Sequence, residues 1–385
     1  MQYLGVDEKD LKSLGGLHTA QEIAQQPDTW KKVFKMVLRQ KNELTTFLTK
    51  AKNVDQVILT GAGTSAFIGE SLIGSYYRNF NNCTKAVPTT NLVSHPYDYL
   101  SNDQETLLIS FARSGNSPES KGAVELADKL CGKCTHLIIT CNKDGDLANY
   151  ETKNGKYVFL LPEETNDQSL AMTSSYSCML LAGLLMAHMD RIEDMEAQVN
   201  LAAAYGKEIL DNQLGLLKNI AGLPFKRAVF LGSGPLLGTA NESHLKVQEL
   251  TDGGTVCKHD SFLGFRHGPK AVVDTETLIV HLLSNNQYVS KYENDLIFAM
   301  EKGKKALVQL AIGEGIGYNL PVDYTITYSS NDESIDEDFL CLPGVLPGQI
   351  LGFFKSLNEH LMPDEPSSSG AISRVVQGVN IYNLP

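Results

Sequence analysis

The sequence is short of positive charge. Lys and Arg number 33 against 45 Asp and Glu, for a net charge of −12. That balance lacks the footprint of a nucleic-acid binder, which must neutralise a run of phosphates. Long apolar runs are missing too. The longest, "CMLLAGLLMAHM" from Cys178 to Met189, is too short to span a bilayer and reads as a buried core helix. The opening "MQYLGVDEKDLKSLGG" carries acids and no apolar stretch, so no secretory signal is expected. The seven cysteines are an odd number for a disulfide framework and read as reduced thiols of a cytoplasmic protein. No G-x-x-x-x-G-K-[ST] occurs, which removes a P-loop. Cys131 and Cys134 form a lone C-x-x-C, and "CKH" from Cys257 to His259 is the other small Cys/His cluster. Neither completes four zinc ligands. Nucleic acid, membrane, metal and cofactor are all unexpected.

What remains is an ordinary globular chain of 385 residues with 42% apolar and 20% charged residues, long enough for two domains. A faint long-period repeat organises it. "VILTGAG" from Val57 resembles "AVFLGSG" from Ala228. "TLLISF" from Thr106 answers to "TLIVHLL" from Thr277, "HLIITC" from His136 to "LVQLAI" from Leu307, and "YVFLLP" from Tyr157 to "YTITY" from Tyr324. Apolar runs alternating with helical patterns predict parallel sheets covered on both faces. The expected fold is α/β: two α/β/α sandwiches over 45–195 and 196–362, a helical segment over 1–44 and a tail over 363–385. Within the helical segment, "TAQE" from Thr19 to Glu22 reads as a capping box, and the run from Thr29 to Ala51 has helical spacing. The tail is apolar enough at Val375, Val376, Val379, Ile381 and Tyr382 to fold back onto the body.

Two loops point to an anion. "LLISFARSGNSPES" from Leu107 breaks from a buried strand into Arg113, Ser114, Gly115, Asn116 and Ser117, then opens a helix. "TGAGTSAF" from Thr60 does the same through Gly63, Thr64 and Ser65. Both fall beyond the carboxyl end of a strand, where open α/β sheets bind ligands. Small residues admit a phosphate close to the backbone, hydroxyls donate to it, and a helix end supplies free N–H groups. "GAGTSA" has Ala66 in place of the third glycine of a dinucleotide loop, and no acid ends the following strand to take a ribose. Plain turns with serine N-caps fit either loop taken alone. The second copy has "SNNQYVSKYEN" after its second strand, without glycine. It has instead "NESHLKVQEL" and "GFRHGPKAVV", which the first copy lacks. The functional groups are divided between the halves, so one composite site is expected rather than two alike.

These segments together resemble a known family. "TGAGTSAF", "SFARSGNSPES", "AMTSS", "LGSGP", "ESHLKVQELT", "GFRHGPK" and "SRVVQGV", in order along nearly the whole chain, resemble the galactosamine-6-phosphate deaminase/isomerases, also called tagatose-6-phosphate ketose/aldose isomerases, which carry two tandem sugar isomerase (SIS) domains. The isomerase half of glucosamine-6-phosphate synthase is a more distant likeness, from which Arg113 and Met172 depart. The resemblance implies that Thr64, Ser65, Ser114 and Ser117 hold a 6-phosphate and that Thr173 and Ser174 border the sugar. It makes Glu249 the carboxylate that moves the C2 proton, Lys246 a lysine near the sugar hydroxyls, and His267 the ring-opening histidine, which in relatives can come from a neighbouring subunit. Arg374 would lie in a tail that covers the site. On the residues alone, an ordinary surface ion pair at i, i+3 is the favoured reading of Lys246 and Glu249, and His267, though its range suits proton transfer, reads more often as a hydrogen-bonded surface residue of a loop.

The implied activity is conversion of D-galactosamine 6-phosphate to D-tagatose 6-phosphate and ammonia in a homodimer or higher homo-oligomer. The alternatives are a plain tagatose- or fructose-6-phosphate isomerase, glucosamine-6-phosphate deaminase, and a non-catalytic phosphosugar sensor.

Overall fold

The computed structural model describes every residue except 81, 82, 318, 329–333, 377 and 385. Two five-stranded sheets carry the architecture. The first holds β1 (Gln56–Thr60), β2 (Cys83–Ala86), β3 (Glu105–Ala112), β4 (Lys133–Thr140) and β5 (Lys156–Leu160) in the order β2-β1-β3-β4-β5. The second holds β6 (Arg227–Leu231), β7 (Val256–Asp260), β8 (Thr277–Leu282), β9 (Val308–Gly313) and β10 (Tyr324–Thr327) in the order β7-β6-β8-β9-β10. Every pairing in both sheets is parallel, and the two orders are the same when read strand for strand. The fold is the expected pair of tandem SIS-type α/β domains.

The central strands are continuous apolar runs because both faces are covered. All five residues of β1 and all six of β8 are buried. Edge strands β2 ("CTKA") and β7 ("VCKHD") are half-exposed and polar. They lack the apolar signature and escape a reading by hydrophobic run. The "CKH" cluster is thereby a strand segment, with Cys257 and His259 on one face of it.

The chain divides into two compact units, neither contiguous. The first unit comprises Asp28–Asp167, Ser174–Ala197 and the tail from Ser373, and contains the first sheet. The second comprises Met1–Pro27, Gln168–Thr173 and Gln198–Ile372, and contains the second. The helical segment and the tail are each shared between units rather than forming pieces of their own. The physical reason lies in long-range polar ties. Within the second unit, Asp364 accepts from His18 N (3.2 Å), Thr19 N (2.7 Å) and Thr19 Oγ1 (2.8 Å). Gln26 Nε2 donates to Gln349 Oε1 at 2.6 Å. Within the first unit, Trp30 Nε1 donates to Ser177 Oγ at 2.9 Å and Tyr157 Oη to Gln40 Oε1 at 2.7 Å.

The capping box is a correction. The helix starts earlier, at Leu17, with no side-chain cap at Gly16. Asp364 satisfies its first N–H groups, and Glu22 turns to the N–H and hydroxyl of Ser169. The predicted helix from Thr29 to Ala51 is two helices, Gln26–Arg39 and Lys41–Ala51, parted at Gln40. In the tail, Ile381 packs near Gly122 and Leu384 against the first unit's core, while Tyr382 is exposed.

Helix α3 (Ser174–Ala187) is buried at every position, as its uniform apolarity requires. Glu337–Asn358, not Cys178–Met189, is the longest apolar helical stretch; it is long enough to cross a membrane but is 94% buried inside the protein, as a core helix. Among the described residues all seven cysteines are free thiols.

Candidate active site

In the first sheet the strand order reverses between β1 and β3, which lie side by side with Thr60 opposite Ser110. That is the switch point at which open α/β sheets bind ligands. Both predicted anion loops emerge there. After β1, Gly61 passes so close to the next helix that a Cβ would stand 2.5 Å from the Ser65 carbonyl carbon. Gly63, at φ +55, then turns the chain into α1 (Thr64–Phe80). Thr64 and Ser65 sit in its first turn, 5% and 4% exposed.

After β3, Gly115 takes φ +67. The loop is braced from beneath: Asn142 Nδ2 donates to the Ser114 carbonyl (2.8 Å), Leu147 N to the Gly115 carbonyl (3.0 Å) and Asp146 N to Asn116 Oδ1 (2.9 Å). Helix α2 (Pro118–Leu130) follows, with Pro118 at its first position. Its N-cap, Ser117, makes no capping bond to the helix backbone and pairs instead with Ser120 Oγ at 2.6 Å. The helix end therefore keeps N–H groups directed outward, the arrangement that binds anions.

Arg113 is only 5% exposed, and its guanidinium donates to the carbonyl of Arg374. Arg374 in turn donates through Nε to the Asp167 carbonyl (2.8 Å) and through Nη2 to Asn166 Oδ1 (3.2 Å). The structure thus ties the tail beside the Ser114 loop by one arginine pair. Ser174 is fully buried, and its hydroxyl donates to Asp167. Ser175 N donates to the same carboxylate at 2.9 Å. Thr173 is also fully buried, and its carbonyl accepts from Gln349 at 3.5 Å.

The second unit holds the proton-transfer candidates. Helix α4 (Pro235–Leu250) follows β6. Glu242, Lys246 and Glu249 fall at i, i+4 and i+7, one stripe of the helix. Lys246 is wholly buried, so the pair is no surface ion pair. Its ammonium stands 3.1 Å from Glu242 Oε1 and contacts Glu249 Oε1 on its other side. Burial works to discharge the lysine, but the two carboxylates outweigh it and raise its pKa. Glu249 retains 15% side-chain exposure while Glu242 has none, so Glu249 is the end of the array that faces outward.

Sequence reasoning missed Glu242. The i, i+4 spacing to Lys246 was the available signal, but an apolar face was not visible in "NESHLKVQEL". The face is buried by α6 (Cys341–Asn358), whose glycines let it close in. A Cβ on Gly348 would lie 2.5 Å from Ser243 Cβ, and one on Gly352 would lie 2.8 Å from the Lys246 carbonyl. His267 is not drawn into this array. It is exposed, its backbone N–H reaches the Gly264 carbonyl at 2.9 Å, and Gly268 after it takes φ +118.

The C-x-x-C straddles the end of α2 and the start of β4. Asp128, Cys134 and His136 place donor atoms within 4.8 Å of one another. Asp128 is already engaged, by His136 Nε2 (2.6 Å), Tyr150 Oη (2.7 Å) and Asn154 Nδ2 (2.8 Å). That set reads as a hydrogen-bonded core hub rather than a metal centre.

Two parallel sheets of identical order, phosphate-type loops at one switch point and a buried carboxylate–lysine–carboxylate stripe define a tandem sugar isomerase protein. A family model, SIS domain, matches residues 48–189. D-Galactosamine-6-phosphate deaminase AgaS of Shewanella sp. strain ANA-3 is 42% identical over 97% of this chain and 94% of its own. A candidate tagatose-6-phosphate ketose/aldose isomerase of Clostridium novyi NT superposes at a TM-score of 0.96, with 41% identity over the whole of both chains. The Escherichia coli tagatose-6-phosphate ketose/aldose isomerase does so at 0.86, with 36% identity over 96% and 97%. The chain belongs to the AgaS family of SIS-domain enzymes.

Proposed function

We propose that the chain is a D-galactosamine-6-phosphate deaminase, releasing ammonia and D-tagatose 6-phosphate. The observation that carries this reading is the buried Lys246 held between Glu242 and Glu249, in a chain akin from end to end to a deaminase of that name. A phosphosugar sensor has no use for a desolvated proton-transfer array.

Thr64, Ser65, Ser114, Gly115, Asn116 and Ser117 hold the 6-phosphate by hydroxyls and N–H groups, each charge-assisted bond contributing about 1.5–3 kcal/mol. Gly63 keeps the first loop open to the anion. Arg113 and Arg374 position the loop and tail rather than meet the phosphate directly. Thr173 and Ser174 shape the wall beside the sugar. His267 moves the proton that opens the pyranose to the free aldehyde, in a homodimer through a partner copy.

Glu249 then takes the C2 proton. The C2–H electron pair forms the C1–C2 double bond of an enolamine, and O1 receives charge and a proton. Returning the proton to C1 leaves an imine at C2. Water adds to it and ammonia departs, giving the ketose. C2 is oxidised as C1 is reduced, so the step balances within the substrate. Lys246 fixes the Glu249 carboxylate through the contact of its ammonium with Oε1. We place the enzyme in the cytoplasm, in keeping with its free thiols.

The test is ammonia release from galactosamine 6-phosphate with glucosamine 6-phosphate beside it. Release from the galacto sugar alone supports the reading; release from the gluco sugar changes the substrate and keeps the chemistry. No ammonia from either, with deuterium exchange at C1 of tagatose 6-phosphate, would leave a plain isomerase.

A further inference from the structure

Beyond the carboxyl ends of β8, β9 and β10 the second unit has an acidic cavity, lined by Glu208, Glu293 and Glu314. It offers a ligand little. Glu293 is 0% exposed and accepts from Ser284 N at 3.0 Å. Glu314 is braced by Asn285 Nδ2 (2.7 Å) and Ile335 N (2.9 Å). Asn286 caps α5 (Gln287–Glu301), its Oδ1 accepting from Tyr288 N at 2.9 Å.

The other edge of the same sheet is different. There β7, paired with β6 alone, carries His259, and helix α4 beside it carries His244. The two rings are in contact, with centroids 4.9 Å apart and planes tilted by 35°. Both residues are half-buried and keep accessible surface. Helix and strand are held in register around the pair. Gln248, one turn after His244, accepts through Oε1 from Cys257 N, two residues before His259, at 3.1 Å.

These are unlike the histidines of the core. His136 is fully buried with Nε2 on Asp128 at 2.6 Å, and His281 is fully buried with Nε2 on Gln309 Oε1 at 3.1 Å. Neither ring nitrogen of His259 has a hydrogen-bond partner among the described residues. His244 meets the Asn241 carbonyl through Nδ1. A carbonyl only accepts, so Nδ1 carries the proton and Nε2 the lone pair. A ring N–H donated to a backbone carbonyl is the usual support of a metal-bound histidine.

The ammoniums near the rings are answered by carboxylates. Lys246 lies between Glu242 and Glu249, and Lys258 Nζ stands 3.5 Å from Asp260 Oδ2. The Cys257 thiol is turned to the Thr255 carbonyl at 3.5 Å. Imidazole nitrogens suit zinc and its first-row neighbours, whereas Mg²⁺ and Ca²⁺ take oxygen ligands.

We propose that His244 and His259 form a surface site for one zinc-class divalent cation, bound by Nε2 of His244, a ring nitrogen of His259 and water. The "CKH" segment is incomplete in the sequence because its partner ligand lies on the preceding helix. The inference does not rest on the reading of the phosphosugar site.

It is tested by calorimetric titration of the full chain with Zn²⁺, and with Mg²⁺ beside it, at about pH 7.5, where imidazole is mostly neutral. The expected result is one Zn²⁺ per chain and no heat from Mg²⁺. His259→Ala should weaken Zn²⁺ by about tenfold or more, at least the cost of losing an outer-shell partner. Ammonia release from galactosamine 6-phosphate by that variant, without metal, should stay within about twofold of the parent, since the machinery keeps all its ligating groups. His244→Ala should weaken Zn²⁺ similarly, and serves if the first variant does not fold. Zn²⁺ should raise the melting temperature of the parent and of neither variant. Co²⁺ in place of Zn²⁺ should show the spectrum of a nitrogen and water sphere, without a thiolate-to-cobalt band. No Zn²⁺ heat at millimolar concentration would overturn the proposal. So would equal affinity in parent and both variants, or a thiolate band, which would put the metal on a cysteine.

Discussion

The switch points of the two sheets are the same scaffold with opposite chemistry. Each follows an inner strand with a glycine turn and a helix, and each receives a second loop from the neighbouring strand. In the first, the helix after that second loop has a serine N-cap that leaves its N–H groups outward. In the second, Asn286 spends its side chain on those groups, and the lining is acidic. Duplicating a fold duplicates the strand order, which resides in buried apolar runs; the chemistry resides in a few loop positions and drifts freely. The second copy has meanwhile placed its charge on α4, away from the loops, as a stripe of three groups.

The sharpest break of this comparison is Glu249→Gln. We expect kcat to fall by about 10²–10⁴ with KM little changed, as for loss of a general base. Steady-state kinetics with galactosamine 6-phosphate reads it, and an unaltered kcat would remove the second copy from the chemistry. Next comes a matched pair, Ser114→Ala and Ser284→Ala. The first should raise KM by about tenfold or more through loss of a charge-assisted bond, the second by less than about twofold. Equal effects would mean that both loops see phosphate.

A third variant probes what holds the stripe in place. Gly348→Ala forces a Cβ to within 2.5 Å of Ser243, and overpacking of this kind costs about 1–3 kcal/mol. A lowered melting temperature together with reduced kcat is expected, because Lys246 and Glu249 ride on the displaced helix.

The smallest effect separates the acidic cavity from the anion cradle by pH. Glu293 has a pKa raised to about 7 in the folded chain. Below its ordinary carboxylate range both states hold the proton. As pH rises toward 7 the unfolded chain loses it first, so the folded state is progressively destabilised, and above 7 the full cost is present. Glu293→Gln should therefore melt higher than the parent at pH 8, by about 1–3 kcal/mol of stability, and the gap should close near pH 4. A constant gap across that range would mean that the carboxyl is not the cause.

Much of this was legible in the residues. Central strands announce themselves as apolar runs, and Gly63, Gly115 and the serines around them mark the anion loops by chemistry. Edge strands β2 and β7 did not, because a half-exposed strand need not be apolar. The capping box misled for a related reason: "TAQE" has the local pattern, but a carboxylate from Asp364 outcompeted it. Lys246 and Glu249 were visible as a pair, yet burial decides whether such a pair is decorative or reactive. That burial comes from glycines on a helix far along the chain, beyond the reach of local spacing.

The Asp364 cap has a consequence for synthesis. At eight residues the helix Leu17–Ala24 is too short to persist alone in water. Its cap lies 345 residues later, so at ordinary elongation rates it waits about 17–70 s for its partner. The first unit waits as well, for the strip from Ser373 that returns to it. Neither half can therefore finish folding as an independent nascent domain; both wait for the stretch that carries Asp364 and the strip from Ser373.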